Sequence, residues 1–170
     1  MLRILGLIFL TLVVGAAIAV AVGIRQDQRA REYVSSSVRR IYQNWDFSEL
    51  TDRASVQLRR EPGFDTAGPQ MFQMMSGVFG PLVTAGEPSG RAGFGWGKGS
   101  KARGTYGEYL VHAKFKAGDA DLKLLVVKEH GAWRIRAFNV ESPLLFDAIR
   151  SHGARNDSPA NTSLEQTRER

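Results

Sequence analysis

From residue 4 to residue 24 the chain carries no charged side chain. At about 1.5 Å of rise per residue, a helix of that length covers roughly the 30 Å hydrocarbon core of a bilayer. No other feature constrains the fold as strongly, because a helix apolar on every side needs a covering surface. One reading is a transmembrane anchor over residues 1–25. The other is a cleaved signal peptide, since Arg3 supplies a basic start and both Ala17-Ile18-Ala19 and Ala19-Val20-Ala21 have the small-x-small cleavage pattern. The run exceeds the roughly 7–15 apolar residues of a signal core and no helix breaker comes after it, which favours the anchor. Gly6, Gly15 and Gly23 are tolerated in lipid. Arg3 stands on one flank and Arg25, Arg29, Arg31, Arg39 and Arg40 on the other. Taken literally, the positive-inside rule keeps the rest of the chain in the cytoplasm. A short basic N-terminus also fits a signal-anchor that exports the domain behind it, and export is the expectation.

Beyond the apolar run, a chain of 170 residues has room for one domain, at residues 26–150. Hydrophobic residues at 43% and charged residues at 24% place it in the globular class. The absence of cysteine excludes a disulfide scaffold, a thiolate metal site and a cysteine nucleophile. Lys and Arg number 23 against 17 Asp and Glu, for a net +6 that favours anionic surfaces but falls short of a nucleic-acid signature. No nucleic-acid partner is expected, and no internal repeat is visible.

Ala30, Tyr33, Val34, Ser37, Val38, Ile41, Tyr42 and Trp45 recur at three- and four-residue steps, the stripe of an amphipathic helix that continues the apolar run. Ser48 is placed to cap a second helix through Leu50, Ala54 and Leu58, which Glu61-Pro62-Gly63 stops. Pro69 suits the first turn of a third, short helix carrying Met71, Phe72, Met74, Met75, Val78 and Phe79. After Leu82 the period changes from about 3.6 to 2. Tyr109, Val111, Ala113 and Phe115 alternate with polar residues over 105–116, and Leu122, Leu124 and Val126 share one face of the next strand. Trp133, Ile135 and Ala137 take one face of the last strand while Arg134, Arg136 and Phe138 take the other. Ala117-Gly118 and His130-Gly131 mark the turns, and Ser142-Pro143 opens a short helix. Residues 151–170 are polar with a single leucine and read as a disordered tail.

Helices preceding antiparallel strands define an α+β class. Two stretches carry a closer likeness: REYVSSSVRRIYQNWDFSELTDRAS, in which Trp45 leads one helix into another, and YGEYLVHAKFKAGDADLKLLVVKEHGAWRIRAFNVESP, in which Phe115, Gly118 and the Gly131-Ala132-Trp133 return organise three strands. Over about residues 28–141 the chain resembles the cystatin-like fold of the nuclear transport factor 2-like superfamily, in particular small bacterial exported domains. The resemblance implies about three helices packed on a curved antiparallel sheet, with the long helix across its concave face. Members range from isomerases and dehydratases to secretion-machine scaffolds with one membrane anchor, so function does not follow from the fold.

The run Gly93-Phe94-Gly95-Trp96-Gly97-Lys98-Gly99 invites a phosphate-loop reading, but Ala92 and Gly99 stand where that motif needs glycine and a hydroxyl residue. A strand connection is the plain reading; an anion or lipid-headgroup contact through Lys98, Lys101 and Arg103 is the sharper one. His112, His130 and His152 show no metal-ligand spacing, and neither metal nor cofactor is expected. Asp46, Glu49 and Asp52 are placed for capping at the helix junction. The resemblance puts the catalytic acids of enzymatic relatives on the pocket side of the sheet, where this chain has no carboxylate or histidine at its inferred positions, which argues against an enzyme.

Two binding readings remain. Leu110, Leu125, Val127, Phe138 and Val140, ringed by His112, Lys114, Lys116, Lys123, Arg134 and Arg136, form an apolar patch with a basic rim on the outer sheet face. The partner-binding candidates are therefore Leu125, Val127, Arg134, Arg136 and Phe138, for a protein partner or a homodimer. Alternatively Met71, Met75, Tyr109 and Trp133 line a helix-sheet cavity for a small apolar ligand, in a carrier or enzyme. The favoured reading is a single-pass bacterial inner-membrane protein, held in the bilayer by residues 4–24, with a periplasmic interaction or scaffold domain.

Overall fold

The computed structural model describes residues 2–95, 104–146 and 150, with side chains from residue 20 onward. The expected tail at 151–170 lies outside these residues. The architecture is α+β: among the described residues four helices, α1 (Leu2–Gln43), α2 (Phe47–Arg53), α3 (Val56–Arg59) and α4 (Phe64–Phe79), precede five strands. The strands are β1 (Leu82–Ala85), β2 (Ser89–Gly95), β3 (Gly104–Phe115), β4 (Asp119–Glu129) and β5 (Ala132–Glu141). They form one antiparallel sheet in the order β1-β3-β4-β5, with β2 continuing from β1 along the same side of β3.

α1 is a single helix from the apolar run into the domain. Its buried stripe is Ala30, Val34, Ser37, Val38, Ile41 and Tyr42, the period that brings one face onto the sheet. Val20, Val22 and Ile24, in contrast, are 62%, 51% and 56% exposed. Among the described residues no helix is long and apolar enough to cross a membrane; the side chains of residues 4–19 are not among them.

The chain pivots after α1 at Trp45, which adopts φ 53° and is only 6% exposed. Its ring stacks on Phe79 and Phe115 at 5.7 and 5.3 Å, and its Nε1 donates to Gly80 O at 2.7 Å. Burial of a large aromatic offsets the cost of the left-handed backbone. The sequence places the cap of the next helix at Ser48, but Asp46 is the N-cap and accepts from Ser48 N at 2.8 Å. That helix also does not run through Leu58. It breaks at Ala54, which bridges to Ile135 in parallel, and Ser55 N donates to Ile135 O at 2.8 Å before Ser55 caps α3. The break lets backbone groups cover the outer edge of β5.

α4 begins at Phe64, not at Pro69, because Gly63 supplies a left-handed N-cap and Phe64 packs on Phe47 at 5.2 Å. Pro69 is exposed inside the helix, where water can satisfy the carbonyl its missing N–H leaves free. Gly68 is required by closeness: a Cβ there would lie 2.5 Å from the Phe47 ring.

In the sheet, Tyr109, Val111, Ala113, Phe115, Leu122, Leu124 and Val126 are all buried against the helices, as the alternation predicts. His130 and Gly131 both have positive φ, the backbone a two-residue hairpin turn demands. β5 departs from the expected phase. Leu125 pairs with Ala137 but Val126 pairs with Ile135, so Arg136 is the extra residue of a bulge. The bulge reverses every side chain after it. Phe138 and Val140 turn inward, Phe138 meeting Phe72 edge-on at 6.0 Å, and Ala137 turns outward. Arg136 itself is buried, donating to Gln57 Oε1 at 2.7 Å and Glu61 Oε1 at 3.3 Å. Ser142 accepts from Leu144 N at 3.3 Å and starts a helical turn at 143–146.

Candidate functional site

Among the described residues, the outer sheet face bears a cleft with an apolar floor. Leu110 on β3, Leu125 on β4 and Ala137 on β5 are half-buried and floor a cleft of about 420 Å3, edged by Ser89, Glu108, Lys123 and Asn139. Adjacent β4 and β5 positions create it: Leu125 stands opposite Ala137 on one side and Glu108 on the other. Val127 continues the outer phase and is 5% exposed, yet it stands apart from the helix-side core. The rim carries both signs of charge. Lys123 Nζ pairs with Glu141 at 2.7 Å, and His112 Nδ1 faces Asp121 Oδ1 at 2.5 Å.

Of the five candidate partner-binding residues, Leu125 and Val127 share this face. Phe138 is among the residues that line the cleft, but the bulge turns its ring to Phe72 on the helix side. Arg136 lies beneath α3 and Arg134 donates to Asp52 O on α2 at 2.8 Å, so both guanidinium groups are tied to the helix layer instead of forming a basic rim. The positions the sequence pattern misses are Ala137 and Asn139, whereas Glu108 follows from the alternation of β3. A bulge leaves no periodic signature, so only the pairing register reveals the two on β5.

The four cavity candidates are all on the helix side. Met75, Tyr109 and Trp133 are buried and Met71 is partly buried. The space between the helices and the sheet is filled by Tyr42, Trp45, Phe72, Phe79 and Phe115, whose ring centroids lie 5.0 to 6.4 Å apart. Lys98, Lys101 and Arg103 lie outside the described residues, as does His152. Among the described residues no group of three or more His, Asp or Glu side chains is placed to hold a metal ion.

One polar cluster has almost no trace in the sequence pattern. Asp27 on α1 accepts from Ala92 N at 2.7 Å and Tyr109 Oη at 2.8 Å through Oδ1, and from Arg31 Nε at 2.8 Å through Oδ2. Arg31 also donates to Pro88 O at 2.6 Å and to Gly90 O, and sits 5.7 Å from the Tyr109 ring centroid. Gly90 adopts φ +138°, and a Cβ there would collide with Glu108 O. Burial pushes the Asp27 carboxyl up, but the hydrogen bonds from Arg31, Ala92 and Tyr109 outweigh it and hold the group below its ordinary value. Burial, then the bond to Asp27, pushes the Tyr109 phenol up. A carboxylate held ionised with its acceptors occupied and a phenol held protonated make a structural clamp, fastening α1 to β2 and β3. The i,i+4 spacing of Asp27 and Arg31 is its only local signal.

In comparisons with known proteins, no family model, curated protein or solved structure matches the chain.

Proposed function

We propose that the protein is a membrane-anchored interaction domain of the bacterial envelope, cystatin-like in plan, whose bare sheet face pairs with a second copy of the chain. The observation that carries this reading is the outer cleft: among the described residues, three half-buried apolar side chains on adjacent strands floor it, while the core formed with the helices lies on the other face. A single apolar patch on one sheet face suits a two-fold pairing, in which the same patch of each copy meets the other. The anchor reading is supported by the uncharged run at residues 4–24 and by the exposure of Val20, Val22 and Ile24 on a helix that enters the domain without a break.

The chain has no cysteine, so Ala137→Cys adds a sole thiol at the centre of the face. Full-length protein in membranes carrying this variant is expected to give a covalent dimer with a short bismaleimide, and Val83→Cys on β1 is not. Equal, weak cross-linking of the two variants would overturn the pairing.

A further inference from the structure

The Asp27 clamp sets the direction of β2 relative to α1: Arg31 binds the carbonyls of Pro88 and Gly90, and Asp27, one helical turn nearer the N-terminus, binds Ala92. β2 therefore runs antiparallel to α1, back toward the apolar run. Two residues beyond Ala92 the strand reaches up to about 7 Å further, which along a helix matches between four and five residues. That brings Phe94 to the level of Val22 and Gly23.

Phe94 shares the sheet face of Ala92, the face that looks onto α1, since Ala92 pairs with Gly107 and Phe94 with Thr105. Its side chain is 64% exposed, and Val22 and Ile24 on α1 are likewise more than half exposed. Arg25 and Arg29 on α1 and Arg91 on β2 are exposed. An aromatic ring at the acyl boundary with arginines at the headgroups is the arrangement of an interfacial contact.

We propose that the end of β2, through Phe94 and Arg91, rests on an anionic lipid surface next to the anchor helix. The domain is then held to the bilayer at two points and cannot swing freely about α1. This rests on the anchor reading above, and the test separates the two.

Single nitroxide labels are placed on Phe94→Cys, Val22→Cys and Val83→Cys in the full-length, otherwise thiol-free protein. Each is reconstituted into vesicles of phosphatidylethanolamine and phosphatidylglycerol, and collision with oxygen is compared with collision with a water-soluble nickel chelate. The expected result is a several-fold higher oxygen-to-nickel ratio at 22 and 94 than at 83, with 94 shallower than 22. A label at 94 as accessible to nickel as that at 83, with 22 still in lipid, overturns the second contact and leaves the anchor standing. Nickel access at all three positions, or protein that fails to float with the vesicles, overturns the anchor and the second contact together. Thermal melts of the labelled variants identify any that is unfolded; in that event Phe94→Ser is expected to raise nickel access at a label on Arg91→Cys, and unchanged access there overturns the contact.

Discussion

The two faces of the sheet are made by the same strands and the same alternation, and they differ in what completes them. On the inner face Tyr109, Val111, Phe115, Leu122, Leu124 and Val126 are each no more than 4% exposed, closed by α1 and α4 and by stacked aromatic rings. On the outer face Leu110, Leu125 and Ala137 are half-buried. A period of two separates two faces but does not say which of them the chain itself will cover. The inner face acquires its cover from helices rich in aromatic residues, whereas the outer face has an apolar floor with a charged rim, the composition of a surface completed from outside. The inner face should therefore report on stability and the outer face on association.

The sharpest way to break that contrast is at the inner face. Trp45→Ala is expected to cost about 3–5 kcal/mol in denaturant unfolding, the usual loss for a buried large aromatic. It removes stacking on Phe79 and Phe115 and the bond to Gly80 together. A loss below about 1 kcal/mol would mean that the ring cluster is not the core. Next comes the clamp on α1. Asp27→Asn should destabilise by about 1–3 kcal/mol, because Arg31 loses its charged acceptor. The sign of its pH dependence is set by the lowered carboxyl: its stabilisation is present above the ordinary carboxylate range, near 3.8, and disappears as pH falls through the folded-state value. Melts of parent and variant should thus converge in acid. Asp46→Ala, losing the α2 cap, is expected to cost about 1 kcal/mol. Smallest of all, Leu125→Lys should change unfolding by no more than about 0.5 kcal/mol, since the lysine stem still covers the sheet and its ammonium stands opposite Glu108.

Much of this contrast is legible in the residues. The stripe on α1, the inward phase of β3 and β4 and the turn at His130-Gly131 come from local periodicity and turn chemistry, which a sequence displays directly. The failures share a physical origin in long-range completion. α2 stops at Ala54 because Ile135 takes up its backbone, and α4 starts early because Phe64 finds Phe47. Arg136 bulges where Gln57 and Glu61 can receive its guanidinium, and that one inserted residue exchanges Phe138 for Ala137 on the outer face. Alternation puts Leu125 on the outer face because β4 keeps its phase, and misplaces Arg136 and Phe138 because β5 does not. Asp27 and Tyr109 are joined across 82 positions, a relation that no local pattern encodes.

The most direct test of the central claim is sedimentation equilibrium of the full-length protein in detergent micelles, parent beside Leu125→Lys, with a thermal melt of each. A charge buried at the centre of an apolar interface is expected to weaken self-association at least tenfold, about 1.4 kcal/mol, while the melting temperature stays within a few degrees. Identical association of the two proteins, or a parent that is monomeric throughout, would contradict the assignment of the outer sheet face as the site of pairing.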